Sequence, residues 1–518
     1  MKAALGHRGA LNGPAWQPAG RVPSRRQARI LGPAFLAVAL VLSTACGPAR
    51  PAVSDASLIV TQTPIEAGVH ENPGDALDLL YPAGSRVVLV PQPDRPDRVI
   101  VLSQGLRAAG GPVLGPDGRD VLFAGKAEMS QAWQVYRAGL AGGIPKPLTS
   151  QPGGAMAASW LPNGRFVYSS PVPRSATAAH PAPAVPALFT QSITGGPPAR
   201  LTHGLVAATD PTVLADGRIL FVSGVPTAEG SAPAATSLFT INNDGTEITP
   251  YAGQHDGPTA TRRPRETRDG RILFLSSGAG GPALQGRIEQ VLAARPYRSR
   301  SVAFPQIAAP CRAVEPTDDG NFLATLRETG PDRVLATFAV YRLSAGTVRL
   351  GTPVFDDPTR NEVEAISATR PVRPLGRLSN VDPTRTDATL LCLDAHLSDR
   401  PVQGPNNPTN RGTHLRVVAY GGPTPNVPRI LGEVRLQSDG SAMAMVPADL
   451  PLAIELLDAD RNILRRCPPA FWLRPGENRS CVGCHEPHNR APENNRPLAV
   501  REPPVKLLPA RSDLTQSP

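Results

Sequence analysis

Residues 214–223 read LADGRILFVS, an Asp-Gly pair followed by an apolar run rich in strand formers. Asp and Gly tolerate the positive φ of a tight reversal, so the pair predicts a hairpin, and Ile219 and Phe221 mark alternate positions of the strand after it. Four more copies surround it: GPDGRDVLFAG at 115–125, LPNGRFVYSS at 161–170, TRDGRILFLS at 267–276 and TDDGNFLATL at 317–326. From Asp117 through Asn163, Asp216 and Asp269 to Asp319 the steps are 46, 53, 53 and 50 residues, room for one four-stranded unit each. A second motif falls between them: QVYRAGLAGGIPKPLTS at 134–150, LFTQSITGGPPARLTHG at 188–204 and LFTINNDGTEITPYAG at 238–253 each give a strand, a Gly turn and a closing strand.

Units of this length predict a β-propeller, whose radial closure leaves short, protected sheet edges. The repeats resemble those of TolB-like periplasmic proteins. With an earlier copy in DLLYPAGSRVVLVPQPDRPDRVIVLS (78–103), the expectation is an N-terminal TolB-like β-propeller of about six blades over residues 78–355. The insert at 170–187 reads as a loop with His180 exposed. Beyond Pro358 the repeat stops, and strand patterning around Val434, Leu436, Leu452, Ile454 and Leu456, with turns at Asp439-Gly440 and Asp458–Asp460, predicts a compact β-sandwich-like domain over 365–470. Residues 47–77 read as a linker and 471–518 as an irregular, Pro-rich tail; the fold class expected is all-β.

Composition agrees with a turn-rich β protein: 60 Pro and 48 Gly are many, yet below the level of a disordered chain. The net charge of +10 is spread as isolated Arg, without the basic stripe a nucleic-acid partner would need, so none is expected. Residues 1–46 read as an export signal: bases from Lys2 to Arg29, the apolar run ILGPAFLAVALVLSTA at 30–45, then Cys46. LSTAC at 42–46 resembles a bacterial lipobox that departs from the usual pattern at Ser43; it makes Cys46 a lipidation site, with plain secretion and an uncleaved anchor as alternatives. The location expected is the periplasm, or an outer-membrane lipoprotein held to the envelope by that lipid.

Of the six cysteines, the five beyond Cys46 remain to be read in an oxidising compartment. Cys481-Val482-Gly483-Cys484-His485 is the C-x-x-C-H signature of c-type haem, in which two thiols bond the haem vinyls and the adjacent imidazole meets the iron. One covalent haem c is expected on Cys481 and Cys484, with His485 as proximal ligand. Structural zinc on Cys467, Cys481, Cys484 and a His is the rival, weakened because Cys484 and His485 are sequence neighbours and chelate one ion poorly. A redox pair of Cys481 and Cys484 lacks the βαβ surroundings it would need. Of the others, Cys392 and Cys467 form the favoured disulfide pair and Cys311 reads as a small buried residue.

The stretch DGSAMAMVPADLPLAIELLDADRNILRRC, then RPGENRSCVGCHE, then APENNRPLA, resembles the middle domain of the hydrazine synthase alpha subunit family, and a preceding propeller suits that architecture. The resemblance implies thioethers at Cys481 and Cys484. In the synthase a Tyr four places after the motif His ligates iron and leaves the His to zinc. Asn489 stands there in this chain and offers no phenolate, so His485 keeps the iron. The family's later domain with a second haem lies beyond this sequence. A relative rather than the synthase itself is therefore implied, and hydrazine synthesis is not expected.

For the distal side the candidates are His396, His414, Met443 and Met445, with His488 at the haem edge or in solvent. Phe471 and Trp472 read as porphyrin packing or as aromatic core, and Arg474, Arg479 and Arg490 as partners of the propionates. No Ser-His-Asp or paired-carboxylate spacing supports a hydrolase. Two functions remain open: an oxidoreductase-like protein exchanging electrons with a redox partner protein or small molecule, and an envelope scaffold whose C-x-x-C-H segment is structural.

Overall fold

The structure, a computed structural model, describes residues 54–65, 76–95, 97–173, 184–224, 235–254, 259–278, 285–328, 337–398, 411–420, 428–484 and 494–508, all within one compact unit spanning Arg50–Pro518. Cys46, the apolar run before it and His180 lie outside the described residues. Among those described, no helix is long and apolar enough to cross a membrane.

Six sheets among the described residues follow the repeat, and their first strands touch one another in cyclic order, so the ring closes. Blades two to five each hold four strands, starting at Ala108–Leu114, Met156–Trp160, Ala208–Val213 and Thr259–Glu266; the sixth, starting at Cys311–Pro316, holds three. Each Asp-Gly or Asn-Gly pair lies where the first strand of its blade turns into the second. In the fourth blade Gly217 takes a φ of +83° and its N–H donates to Leu214 O at 2.9 Å, while Asp216 Oδ1 accepts from Arg218 N at 2.9 Å. The next strand, Ile219–Gly224, is buried throughout because both its faces meet other blades. Ile219 and Phe221 pack toward the third blade, Leu220 and Val222 toward the fifth. The alternation read from sequence therefore names one of two buried faces.

The first blade is assembled from both ends of the ring. Arg360–Ser367 lies innermost, followed by Leu58–Pro64, Arg86–Val90 and Ile100–Val101. The ring thus reaches beyond the expected 78–355 on both sides and takes a strand from the stretch expected to be a linker. Neither added strand follows an Asp-Gly turn of its own, so the repeat could not reveal them.

Between Ala368 and Thr386 the chain crosses the Asp-Gly turns of successive blades. Arg370 Nε donates to Pro116 O at 2.9 Å, Arg373 to Pro162 O, Leu375 N to Ala215 O at 2.9 Å, and Asn380 N to Asp244 Oδ2 at 2.9 Å. The strap ends in a β-sandwich. One sheet runs Asn478–Gly483, Asp387–Asp394, Ala442–Pro447, Val505–Lys506; the other runs Arg429–Arg435, His414–Ala419, Leu452–Leu457, Ile463–Phe471. Leu390, Cys392, Ala444 and Val446 from the first meet Leu415, Val417, Leu452 and Leu456 from the second in one core. Two strands of the expected irregular tail belong here. Asn478–Gly483 pairs in parallel with Asp387–Asp394, and Val505–Lys506 with Ala442–Pro447. Their short runs carry little apolar alternation because they fill sheet edges.

Candidate functional site

The C-x-x-C-H segment begins on a strand. Cys481 stands in register opposite Cys392, and Gly483 opposite Asp394, in the parallel pair. Cys481 is partly buried against the sandwich core that contains Cys392, and Cys484 is buried. The backbone is fixed by a hydrogen bond from Cys484 N to Leu397 O at 3.1 Å. Gly483 is required for that approach, since a Cβ there would lie 2.3 Å from Leu397 O. His485, His488, Asn489 and Arg490 lie outside the described residues.

The expected disulfide is absent. Cys392 and Cys467 are not bonded: Cys467 lies in the second sheet opposite Ile454, and Cys392 stands in register with Cys481 in the first. Burial raises the Cys392 thiol well above its ordinary range, and the neighbouring Cys481 and Cys484 push the same way. Cys311 is a buried thiol, 1% exposed and raised to about 12 by burial. Among the described residues no group of three or more His, Cys, Asp or Glu converges on a metal-sized site.

The distal candidates separate. Met443 and Met445 pair with Leu391 and Thr389, whereas Ala442 and Ala444 beside them enter the core. Alternation along the strand therefore puts both methionines on the face opposite Cys392 and Cys481. His414 Nδ1 is engaged with Thr413 Oγ1 at 2.9 Å. His396 is different. It rides the turn whose Leu397 O holds Cys484, and its Nε2 meets Gly412 O at 2.9 Å. A carbonyl only accepts, so Nε2 carries the proton, and Nδ1 is left buried without a hydrogen-bond partner. Asp394 Oδ1 stands 3.4 Å from that nitrogen. Gly440, at a φ of +82°, makes room for both groups, since a Cβ there would lie 2.3 Å from Asp394 Oδ1 and 2.7 Å from His396 Nδ1. His396 and His414 line one open cavity of about 450 Å³.

The flanking residues face the propeller: of the two readings of Trp472 the aromatic core holds, and Arg474 and Arg479 are engaged by protein partners. Trp472 is 2% exposed and packs among Leu161, Phe221, Phe239 and Ile248 of the propeller, its Nε1–H donating to Gly245 O at 3.2 Å. Arg474 donates to Arg200 O at 3.0 Å, pairs with Asp449 at 3.1 Å and contacts His203; Arg479 donates to Ile248 O. Glu477 Oε1 accepts from Glu247 N at 3.0 Å. Burial, reinforced by Arg200 and Arg474, holds His203 well below its ordinary range, so it stays neutral. The stretch before the motif is thus the clamp between sandwich and propeller, a role that nothing local in the sequence signals.

As a donor set, two thiols three residues apart at a strand end suit thioether attachment of haem.

Residues 398–486 match the family described as hydrazine synthase alpha subunit middle domain. The hydrazine synthase subunit alpha of Kuenenia stuttgartiensis is 22% identical over 351 residues, covering 55% of this chain and 42% of that protein. The chain spans less than half the length of that relative. The solved hydrazine synthase of Kuenenia stuttgartiensis superposes with a TM-score of 0.71 at 18% identity, over 86% of this chain and 71% of that one, which supports the fold. TolB from Acinetobacter baumannii aligns at a TM-score of 0.39 and 12% identity over 57% of this chain and 63% of that one, too weakly to add to this.

Proposed function

We propose that this relative of the hydrazine synthase alpha subunit is an exported monohaem c-type protein serving electron transfer or small-molecule redox chemistry. What carries the reading is the placement of Cys481 on the edge strand, and of Cys484 immediately after its end, in a domain matched to that family. Cys481 and Cys484 would each hold haem through a thioether, with sulfur on one vinyl carbon and the thiol hydrogen on the other, so attachment needs no oxidant, and His485 would hold the iron. Bound haem would supply one-electron chemistry at its iron.

The chain's own part is positioning. Pairing with Asp387–Asp394 and the bond to Leu397 O fix the two thiols relative to the core. The Gly412 carbonyl engages His396 Nε2 and orients the ring so that Nδ1 stands beside Asp394. Trp472 and Arg474 lock the segment to the propeller. Delivery outside the cytoplasm by residues 1–46, lipidation of Cys46 to hold the protein at the envelope membrane, and a redox partner protein or small molecule complete the proposal.

A second reading, an envelope scaffold whose C-x-x-C-H segment is structural, is favoured by one observation: Cys481 packs against the sandwich core, and Trp472, Arg474 and Arg479 are all engaged in the clamp. Carbon monoxide separates the two. Added to the reduced holoprotein, it should shift the Soret band if small-molecule chemistry occurs at an open iron. A low-spin spectrum unmoved by the gas, with reversible electrochemistry, assigns electron transfer; haem that resists reduction supports the scaffold and overturns the redox proposal.

A further inference from the structure

The propeller axis holds a cluster of charge that the redox reading does not use. Glu364, on the innermost strand of the first blade, accepts from Thr61 Oγ1 and Gly111 N at 2.7 Å each, and from Tyr81 OH and the Arg263 guanidinium. Arg263 comes from the fifth blade; its Nη2 also donates to Tyr81 OH at 3.0 Å, and its backbone N donates to Asp210 Oδ2 of the fourth at 3.2 Å. The innermost strands of blades two to six break register, and three of these bulges hold Gly111, Asp210 and Arg263 at φ values of 72°, 48° and 53°. Such conformations cost free energy at the two non-glycine positions, and they aim these groups at the axis.

The Glu364 carboxylate is thereby saturated, yet more cations stand beside it. Arg262 precedes Arg263, and Arg312 occupies the bulge between Cys311 and Ala313 on the innermost strand of the sixth blade. Among the described residues neither has an ion pair or a side-chain hydrogen bond. Phe338 offers its ring to Arg312 at 5.3 Å and to Arg327 at 5.0 Å. Burial first, and then Arg263, push Arg312 down to about 10, and the same two causes lower Arg262; both remain cationic at neutral pH. Against Arg262, Arg263 and Arg312 stand Glu364 and Asp210, which leaves an excess of positive charge. Both residues are half-buried. Like charges held this way are stabilised by a counter-anion, and the planar guanidinium fork suits a carboxylate or phosphate.

We propose that Arg262 and Arg312, beside the propeller axis, form a binding site for a small oxyanion, a carboxylate or a phosphate. The site is independent of haem. Isothermal titration of the full chain at low ionic strength, with citrate and with inorganic phosphate as probes and chloride as reference, tests it; the tighter probe identifies the ligand class. Saturable binding at one site per chain is expected, weakened at least about tenfold in Arg312→Gln and in Arg262→Gln, and less in Arg312→Lys. In the unaltered protein the bound anion should protect Arg262 and Arg312 from phenylglyoxal, read by peptide mass, which locates the site even if a variant fails to fold. Absence of saturable binding, unchanged affinity in both glutamine variants, or no protection of these two residues overturns the proposal.

Discussion

Glu362 is fully buried on the innermost strand of the first blade, with Gln62 Nε2 donating to its Oε1 at 3.0 Å and its Oε2 left without a partner. Burial raises its carboxyl from 4.5 to about 9, and Asp356 and Asp357 add to the rise. The folded chain therefore keeps a proton there that the unfolded chain has lost. Stability from this group is full below about pH 4.5 and declines as pH climbs toward about 9. Glu362→Gln keeps the acceptor for Gln62 and removes the titration. The variant should gain on the order of 1–3 kcal/mol near pH 9 and little near pH 4, measured by urea unfolding at the two pH values. An equal effect at both would refute the assignment. At this scale the sequence was legible where chemistry is local: the two thiols of the motif announce themselves by spacing. Cys392 does not, because its place beside Cys481 depends on a parallel pairing between segments far apart in the chain. Likewise His396 was one of several candidates on sequence, and its orphaned Nδ1 appears only once Gly412 has taken the other nitrogen.

Among the elements, the Asp-Gly turns do more than reverse the chain. Gly217 takes its positive φ inside the turn, and the strap then lies on top of it, so that a Cβ would stand 2.3 Å from Leu375 O. Gly217→Ala should destabilise the protein by about 1–3 kcal/mol, combining backbone strain with displacement of the strap. Gly270 has a similar φ, +77°, but nothing within 4 Å of its missing Cβ. Gly270→Ala therefore reports the strain alone and should cost about 1 kcal/mol. Equal losses in the two melting curves would show that the strap does not bear on its turn. The repeat made these turns readable, since Asp, Gly and the apolar run lie within ten residues of one another. The strap itself was not, because it docks through backbone and arginine contacts that leave no periodic pattern.

At the scale of the molecule, closure of the ring and the grip of sandwich on propeller set the stability. Trp472 inserts into the propeller side of that contact, so Trp472→Ala should cost roughly 3–5 kcal/mol and split a single unfolding transition into two in calorimetry. One transition at an unchanged temperature would show that the two domains do not depend on this clamp. The all-β class, the repeat and the count of blades followed from sequence, whereas Leu58–Pro64 escaped because its partner Arg360–Ser367 comes from the far end of the ring. The same architecture leaves Asn478–Gly483 as an edge strand of the sandwich. We propose that this edge carries one covalent haem. The pyridine haemochrome spectrum of the full chain, produced together with the c-type maturation machinery, tests it most directly. One haem per chain that survives acid–acetone extraction, lost from the protein when Cys481 and Cys484 are both changed to Ser, is the predicted result; a chain that folds with both thiols free and no haem contradicts it.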